Sequence, residues 1–268
     1  MIANVLSIAG SDPSGGAGIQ ADIKAISANG AYAMAAITAL TAQNTQGVSD
    51  IHLVPPDFVQ AQIKAVFEDI RVDAVKIGMI ANADIAAAVA EVLRDCTAPI
   101  VLDPVMIAKG GAPLLQPDAV SVLRAQLLPL ARLLTPNLPE AAHLLGASIA
   151  ADRTAMQEQG RALIAKGPAA VLMKGGHLEA PESPDCLVTR DGVTWFEGQR
   201  TKTRNTHGTG CTLSAALAAQ LAQGLDLRDA VTAAKAYVAS ALAHADDLTV
   251  GTGHGPTHHF AKFKGLHP

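Results

Sequence analysis

Six short apolar runs, Val5–Ala9, Ala35–Leu40, Ala74–Ile77, Ile100–Leu102, Arg132–Leu134 and Ala170–Met173, are separated by longer amphipathic stretches. That alternation restricts the fold more than any other feature. Short runs of near-continuous Val, Ile, Leu and Ala predict strands buried on both faces, and the stretches between them predict covering helices. Helical patterns occupy Ile19–Ala28, Asp57–Phe67, Asp84–Arg94, Asp118–Leu127 and Arg153–Ala165; Pro55-Pro56 marks a start and Asn29-Gly30 a stop. The expected class is α/β with a mostly parallel central sheet.

After Lys174 the pattern changes. "CLVTRDGVTWFEG" (Cys186–Gly198) places two β-rich runs around Asp191-Gly192 and predicts an antiparallel hairpin at the edge of the sheet, with Trp195 and Phe196 serving to pack it. Two helices follow, Thr212–Gln223 and Leu227–His244. No repeat, low-complexity tract or linker interrupts the 268 residues, so residues 1–268 read as one domain. Hydrophobic residues make up 49% but aromatics only 3%, which leaves Ala, Leu, Val and Ile to build the core.

The composition excludes several classes. A net charge of -4 without basic runs argues against a nucleic-acid footprint and against a polybasic membrane anchor. Cys96, Cys186 and Cys211 have the spacing of neither a disulfide framework nor a zinc knuckle. The N-terminus lacks the basic region of a signal peptide. The longest uncharged stretch, Ala25–Ser49, is mostly Ala and is interrupted by Asn and Gln, so it does not read as a membrane span. The expectation is a soluble cytoplasmic protein that binds neither nucleic acid nor membrane.

In open parallel sheets, ligands sit beyond the carboxyl ends of the strands. The polar and glycine-rich segments fall there: "GSDPSGGAG", "QN", "GM", "DPVM", "TPNLPE" and "KGGH" follow the six strands in turn. Repeated placement of this kind predicts a site along one edge of the sheet.

"GSDPSGGAGIQAD" lacks the Lys-Ser/Thr ending of a P-loop. Gly16–Ala21 fits only a degenerate dinucleotide fingerprint, since no acidic residue follows about 20 residues on. Ser11–Gly18 reads instead as a flexible loop that closes over a small substrate. Asp22 suits either a ligand hydrogen bond or a helix-dipole partner. The amides of Gln43 and Asn44 suit a heterocycle edge or their own loop backbone. Asp103 and Glu140, at neighbouring strand ends, suit Mg²⁺, which takes few carboxylates and keeps waters; each also suits a turn or helix start. Lys174 suits charge neutralisation on a transferring phosphate, or plain solvation.

"NTHGTGCTLSAAL" carries a cysteine where a Gly-rich turn becomes a helix. Gly208 and Gly210 let backbone N–H groups approach a ligand, and the helix start favours an anion. The dipole there should lower the Cys211 pKa. The alternative is a helix cap with a buried cysteine. His254, His258 and His259 fit a mobile C-terminal segment better than a metal site.

Taken together, "IAGSDPSGGAGIQAD", "ITALTAQNTQGV", "KIGM", "LDPVM", "TPNLPEA", "LMKGGH" and "NTHGTGCTLSAAL" resemble the hydroxymethylpyrimidine/phosphomethylpyrimidine kinases of thiamine biosynthesis, within the ribokinase-like superfamily. The resemblance runs from about Val5 to His259. It implies a three-layer α/β/α fold, usually a homodimer, and phosphorylation by ATP of 4-amino-5-hydroxymethyl-2-methylpyrimidine and then of its monophosphate. The family's pyrimidine contacts fall on Gly10, Ala17, Asp22, Gln43, Met79 and Val105. Its ATP and Mg²⁺ positions fall on Asp103, Thr135, Asn137, Glu140, Lys174 and Thr209, with metal at Asp103 and Glu140 partly through water. Gly208, Gly210 and Lys174 would stabilise the moving phosphoryl group, and Cys211 would be the base. The nearest rival is a pyridoxine/pyridoxal/pyridoxamine kinase, as sole or second activity. A more distant one is a cysteine acyltransferase or hydrolase with His207 as base, for which no orienting third residue is visible.

Overall fold

The computed structural model of the chain describes residues 1–107, 111, 114–116, 118–178 and 182–263. Among these residues eight strands form the main sheet: β1 (Asn4–Ala9), β2 (Tyr32–Ile37), β5 (Ala74–Ile77), β6 (Ile100–Leu102), β7 (Leu133–Leu134), β8 (Ala170–Lys174), β9 (Asp185–Thr189) and β10 (Val193–Phe196). Their order is β10-β9-β8-β7-β6-β5-β1-β2. All neighbours are parallel from β2 to β8, and β8, β9 and β10 pair antiparallel, so the predicted edge hairpin is present.

Side chains of successive strand residues point to opposite faces, and the core divides accordingly. Leu6, Ile8, Val75, Ile77, Leu102 and Val171 pack beneath α2 (Pro56–Asp69), α3 (Ala83–Leu93), α4 (Ala119–Val122), α5 (Leu138–Leu145) and α6 (Arg153–Ile164). Val5, Ala74, Val101, Leu133 and Leu172 pack against α1 (Gly18–Ala28), α7 (Thr209–Ala222) and α8 (Leu227–Ala243). This is the three-layer arrangement expected. In α7 every residue from Thr212 to Ala219 is buried, because its alanines let α1, α8 and the strands approach on all sides. Among the described residues no helix is long and apolar enough to cross a membrane.

Three elements depart from the sequence reading. The expected strand Ala35–Leu40 is two strands in two sheets. The chain leaves the main sheet at Thr38, whose hydroxyl donates to the Met79 carbonyl at 2.6 Å, and enters a separate hairpin of β3 (Ala39–Asn44) and β4 (Gly47–Leu53). Helix α5 was not anticipated, although Asn137 and Glu140 form a capping box with Pro139 in the first turn. The expected helix Asp118–Leu127 is α4 followed by a π-helical turn, Leu123–Leu127.

Candidate active site

A cavity of about 1160 Å³ opens at the carboxyl ends of the parallel strands. Ala9, Lys76, Asp103 and Lys174 bring β1, β5, β6 and β8 to its floor, and Gly208–Cys211 bring the start of α7. The loop after β1 and the tip of β3 wall one end. Gln199, Thr201 and the apolar side chains of Leu213, Val238 and Leu242 wall the other.

Helix α7 begins at Thr209, three residues before the expected Thr212, so Cys211 lies inside its first turn. Gly208 caps it with φ +73°, and a Cβ there would collide with the Gly16 carbonyl. Only glycine satisfies both demands. Among the described residues the N–H groups of Gly210 and Cys211 find no backbone acceptor outside the helix, which leaves two donors and the positive end of the dipole at the cavity. A Cβ built on Gly210 would stand 3.4 Å from Lys174 Nζ and 3.6 Å from Asp103 Oδ2, so the helix start abuts the charged cluster.

In that cluster Lys174 Nζ donates to Asp103 Oδ1 at 2.9 Å and lies 3.8 Å from Glu140 Oε2. Thr135 Oγ1 donates to Asp103 Oδ1 at 3.2 Å and Ser214 Oγ to Oδ2 at 3.3 Å. Thr135 is fully buried and supports Asp103 from below. Burial works against the Asp103 charge, but Lys174, Lys76 and these hydrogen bonds hold its carboxyl below the usual range. Burial likewise opposes the Lys174 charge, and Asp103 and Glu140 outweigh it, so the ammonium is held charged. Glu140 differs. Burial, with Asp103 adding to it, pushes its carboxyl up to about 7 against the pull of Lys174. Its Oε2 accepts from the Asn137 N–H at 2.7 Å, so Glu140 both caps α5 and faces the cavity.

At the other end Gly10, Ala17, Gln43, Met79 and Val105 all line the cavity. A Cβ on Gly10 would meet the Met79 methyl at 2.5 Å, so glycine there lets Met79 reach across the recess. Asp22 is placed differently. It lies beneath the wall, fully buried, where Oδ2 accepts from Lys76 Nζ at 2.8 Å and from the Ser7 hydroxyl at 2.6 Å.

The thiol behaves otherwise than expected. Burial pushes Cys211 up to about 11, and Lys76 and the Gly18 N–H offset that only in part. The dipole argument assumed a solvated helix start. Here Cys211 is half-buried in the cavity wall, and loss of hydration costs the thiolate more than the helix returns.

Sequence reasoning overlooked Lys76, and it saw no partner for His207. Asp12 is that partner. Its Oδ2 lies 2.8 Å from His207 Nε2 and accepts from the Ala17 N–H, while Oδ1 accepts from Ser14. The Ser11–Gly18 loop thus carries its own hydrogen-bonded frame, pinned to the α7 turn. With its Nε2 on Asp12, His207 ties two loops together. The segment that carries His254, His258 and His259 is also tied to the rest of the fold. The His254 N–H donates to the Thr45 carbonyl, the Gly255 carbonyl accepts from the His207 N–H, and buried His259 lies 3.1 Å from Thr212 Oγ1. Phe196, expected only to pack the hairpin, also lines the cavity.

The layered fold, with its cavity at the carboxyl edge of the sheet, is that of the ribokinase-like small-molecule kinases. The sequence matches the family described as Phosphomethylpyrimidine kinase over residues 12–258, and the chain belongs to that family. The hydroxymethylpyrimidine/phosphomethylpyrimidine kinase of Escherichia coli (strain K12) is 58% identical over 258 residues, 96% of this chain and 97% of that protein. Among solved structures, phosphomethylpyrimidine kinase from Clostridium difficile 630 superposes with a TM-score of 0.79 at 43% identity, covering 89% of this chain and 98% of that one. An ADP complex of Bacillus subtilis pyridoxal kinase gives 0.89 at 34% identity, covering 98% and 99%.

Proposed function

We propose that the chain transfers the γ-phosphoryl group of ATP to 4-amino-5-hydroxymethyl-2-methylpyrimidine, and a second one to the resulting monophosphate, giving the pyrophosphate used in thiamine biosynthesis. The observation that carries this reading is the single cavity in which the Gln43 recess and the Gly208–Cys211 turn meet. The 58% identity to a kinase of that name supports it.

In the first transfer the hydroxymethyl oxygen bonds to the γ-phosphorus, and the bond from phosphorus to the β,γ-bridging oxygen breaks, leaving ADP with the electron pair. Such a reaction needs mainly positioning and charge neutralisation. The Gly210 and Cys211 N–H groups, with Gly208 and Thr209 shaping the turn, hold the phosphoryl oxygens as they become planar. Lys174 supplies positive charge beside them. Leu213, Val238 and Leu242 give an apolar slot for the adenine. Cys211 takes the hydroxyl proton, as the thiolate. Burial keeps that form scarce at neutral pH, but the hydroxyl acidifies as its oxygen bonds to phosphorus, so a small population suffices.

The donor set fits Mg²⁺ held partly through water. Asp103 is already engaged by Lys174, Thr135 and Ser214, whereas Glu140 Oε1 has no hydrogen-bond partner among the described residues, and Glu140 lines the cavity with Asn137. Bound there with the nucleotide, Mg²⁺ supplies neutralisation of the phosphate charge. Because Glu140 titrates at about 7, the metal competes with a proton below that value. Apparent Mg²⁺ affinity, read from activation curves, is therefore expected to fall by up to about tenfold per pH unit below 7 and to level above it. Glu140→Gln should flatten that dependence; an unchanged profile would place the metal elsewhere.

Gln43→Ala is expected to weaken pyrimidine binding by about 1–3 kcal/mol, roughly ten- to a hundred-fold, by leaving ring donors or acceptors unpaired. ATP binding should stay put in the same calorimetric titration. Equal losses would make Gln43 a structural residue.

A second reading, activity on pyridoxine, pyridoxal or pyridoxamine, is favoured by the near-complete superposition on the Bacillus subtilis pyridoxal kinase. ADP formation followed separately with hydroxymethylpyrimidine, its monophosphate and pyridoxine tests both. The first two should turn over; turnover of pyridoxine alone would reverse the order of the readings. The resemblance also carries a cytoplasmic homodimer, and sedimentation equilibrium checks the oligomer.

A further inference from the structure

Gln43 lines the cavity between Thr41 of its own strand and His207 of the turn before α7, and these side chains form a circuit that closes on the adjacent residues Ser11 and Asp12. Both ends of the circuit are pure acceptors. At one end the Asp12 carboxylate accepts from the Ala17 N–H on Oδ2 and from the Ser14 N–H and hydroxyl on Oδ1. His207 Nε2, 2.8 Å from Oδ2, therefore carries a hydrogen and donates it. At the other end the Ser11 carbonyl takes the single hydroxyl hydrogen of Thr41 at 2.8 Å. His207 Nε2 is left with no lone pair for Gln43 to donate to, and Thr41 Oγ1 with no hydrogen to give it. With Gln43 Nε2 3.4 Å from His207 Nε2 and Oε1 3.2 Å from Thr41 Oγ1, donor faces donor and lone pair faces lone pair. Turned over about its last bond, the amide satisfies both contacts: the carbonyl shares the His207 N–H, and the NH₂ donates to Thr41. The imidazole has little room to move aside. His207 is buried, its backbone N–H is held by the Gly255 carbonyl, and a Cβ on Gly16 would overlap its ring.

We propose that this circuit fixes the Gln43 amide with its carbonyl toward His207 and its NH₂ toward Thr41, which makes Asp12, His207 and Thr41 positioning residues for the choice of heterocycle. Gln43 keeps one carbonyl lone pair and one N–H for a ligand. In that fixed order they match a ring edge carrying an amino donor beside a ring-nitrogen acceptor, the edge of a 4-aminopyrimidine. A 4-oxo ring in its N–H form presents the reverse order, and an amide free to turn over would serve both. With its hydroxymethyl group held toward Cys211, the ring cannot turn over instead. The ligand follows from the pyrimidine-kinase reading, whereas the orientation of the amide stands on these hydrogen bonds alone.

Calorimetric titration of the whole protein with 4-amino-5-hydroxymethyl-2-methylpyrimidine and with its 4-oxo analogue supplies the test. The wild type should bind the amino compound at least about tenfold more tightly, since the wrong order leaves polar groups unpaired. His207→Phe and Thr41→Val each release one end of the amide. In each, amino binding should weaken while oxo binding holds or improves, so the ratio falls toward one. Thr41→Val keeps the side-chain shape and leaves the α7 turn intact, and it decides alone if His207→Phe does not fold. A ratio that stays put in either folded variant, with both affinities lowered alike, overturns the proposal and makes the circuit a structural brace. Equal wild-type binding of the two rings overturns it too and spares the kinase reading; binding of neither ring removes both.

Discussion

Cys211→Ala is expected to slow the first phosphoryl transfer by about 10²–10⁴-fold, the usual cost of losing a general base. Binding of ATP and pyrimidine should be nearly intact, because the Gly210 and Cys211 N–H groups belong to the backbone and survive the substitution. The loss should be far smaller for the second transfer. There the nucleophile is a phosphate oxygen with a second pKa of about 6, already ionised at neutral pH and in no need of a base. Cys211→Asp should recover part of the first step, since a carboxylate performs the same proton transfer. Covalent catalysis predicts no such rescue. The pH profile adds a sign. With the thiol held up at about 11 and the thiolate as the active form, the wild-type first step should accelerate with pH across the neutral range. Steady-state kinetics on each acceptor, with binding measured separately, decides the matter; a wild-type rate in Cys211→Ala leaves the cysteine as a helix-start residue.

Lys174→Met should be nearly as damaging, and for a different reason. The ammonium separates two buried carboxylates, at 2.9 Å from Asp103 and 3.8 Å from Glu140. Without it the two repel, and the carboxyl of Glu140, already raised, is driven further toward its neutral form. Transition-state charge also loses a fixed neutralising group, for which about 10²–10³-fold in turnover is the usual scale. Nucleotide binding should weaken together with turnover, in contrast to Cys211→Ala, where turnover alone falls. Parallel titration of a non-hydrolysable ATP analogue and kinetic assay separates the two patterns. A Lys174→Met enzyme of normal rate and affinity would make the cluster merely structural.

The strands of the main sheet were legible because a sheet covered on both faces demands near-continuous apolar runs, and β1, β5, β6 and β8 are such runs, broken only by Ser7 and Lys76 within them. The position of the site was legible for the same reason, as each run ends in glycine, proline or charge. The β3–β4 hairpin was not. Its strands read ALTAQN and GVSDIHL, with no sustained apolar run in either, and the swerve at Thr38 is accompanied by a hydrogen bond to Met79, 41 residues away. Helix α5 had its signal in Asn137, Pro139 and Glu140, and Glu140 reads equally well from sequence as a metal ligand or a helix start. Asp12 and His207 are 195 residues apart, so nothing local announces the bond between them. Lys76 did announce itself, as a lone cation in "AVKIG", and only the register with Ser7 and the ion pair with Asp22 show where it lies. The Cys211 thiol shows the limit of local reasoning: a helix start lowers a pKa, but burial by the surrounding chain is decided elsewhere and outweighs it.

Phosphorus-31 NMR of the protein with Mg²⁺, ATP and hydroxymethylpyrimidine tests the central claim most directly. A phosphomonoester resonance should grow first as ADP appears, then give way to the paired doublets of a diphosphate ester, with little free phosphate released. A spectrum in which ATP is converted only to ADP and inorganic phosphate, or in which added monophosphate stays unchanged, contradicts a twofold transfer to the pyrimidine.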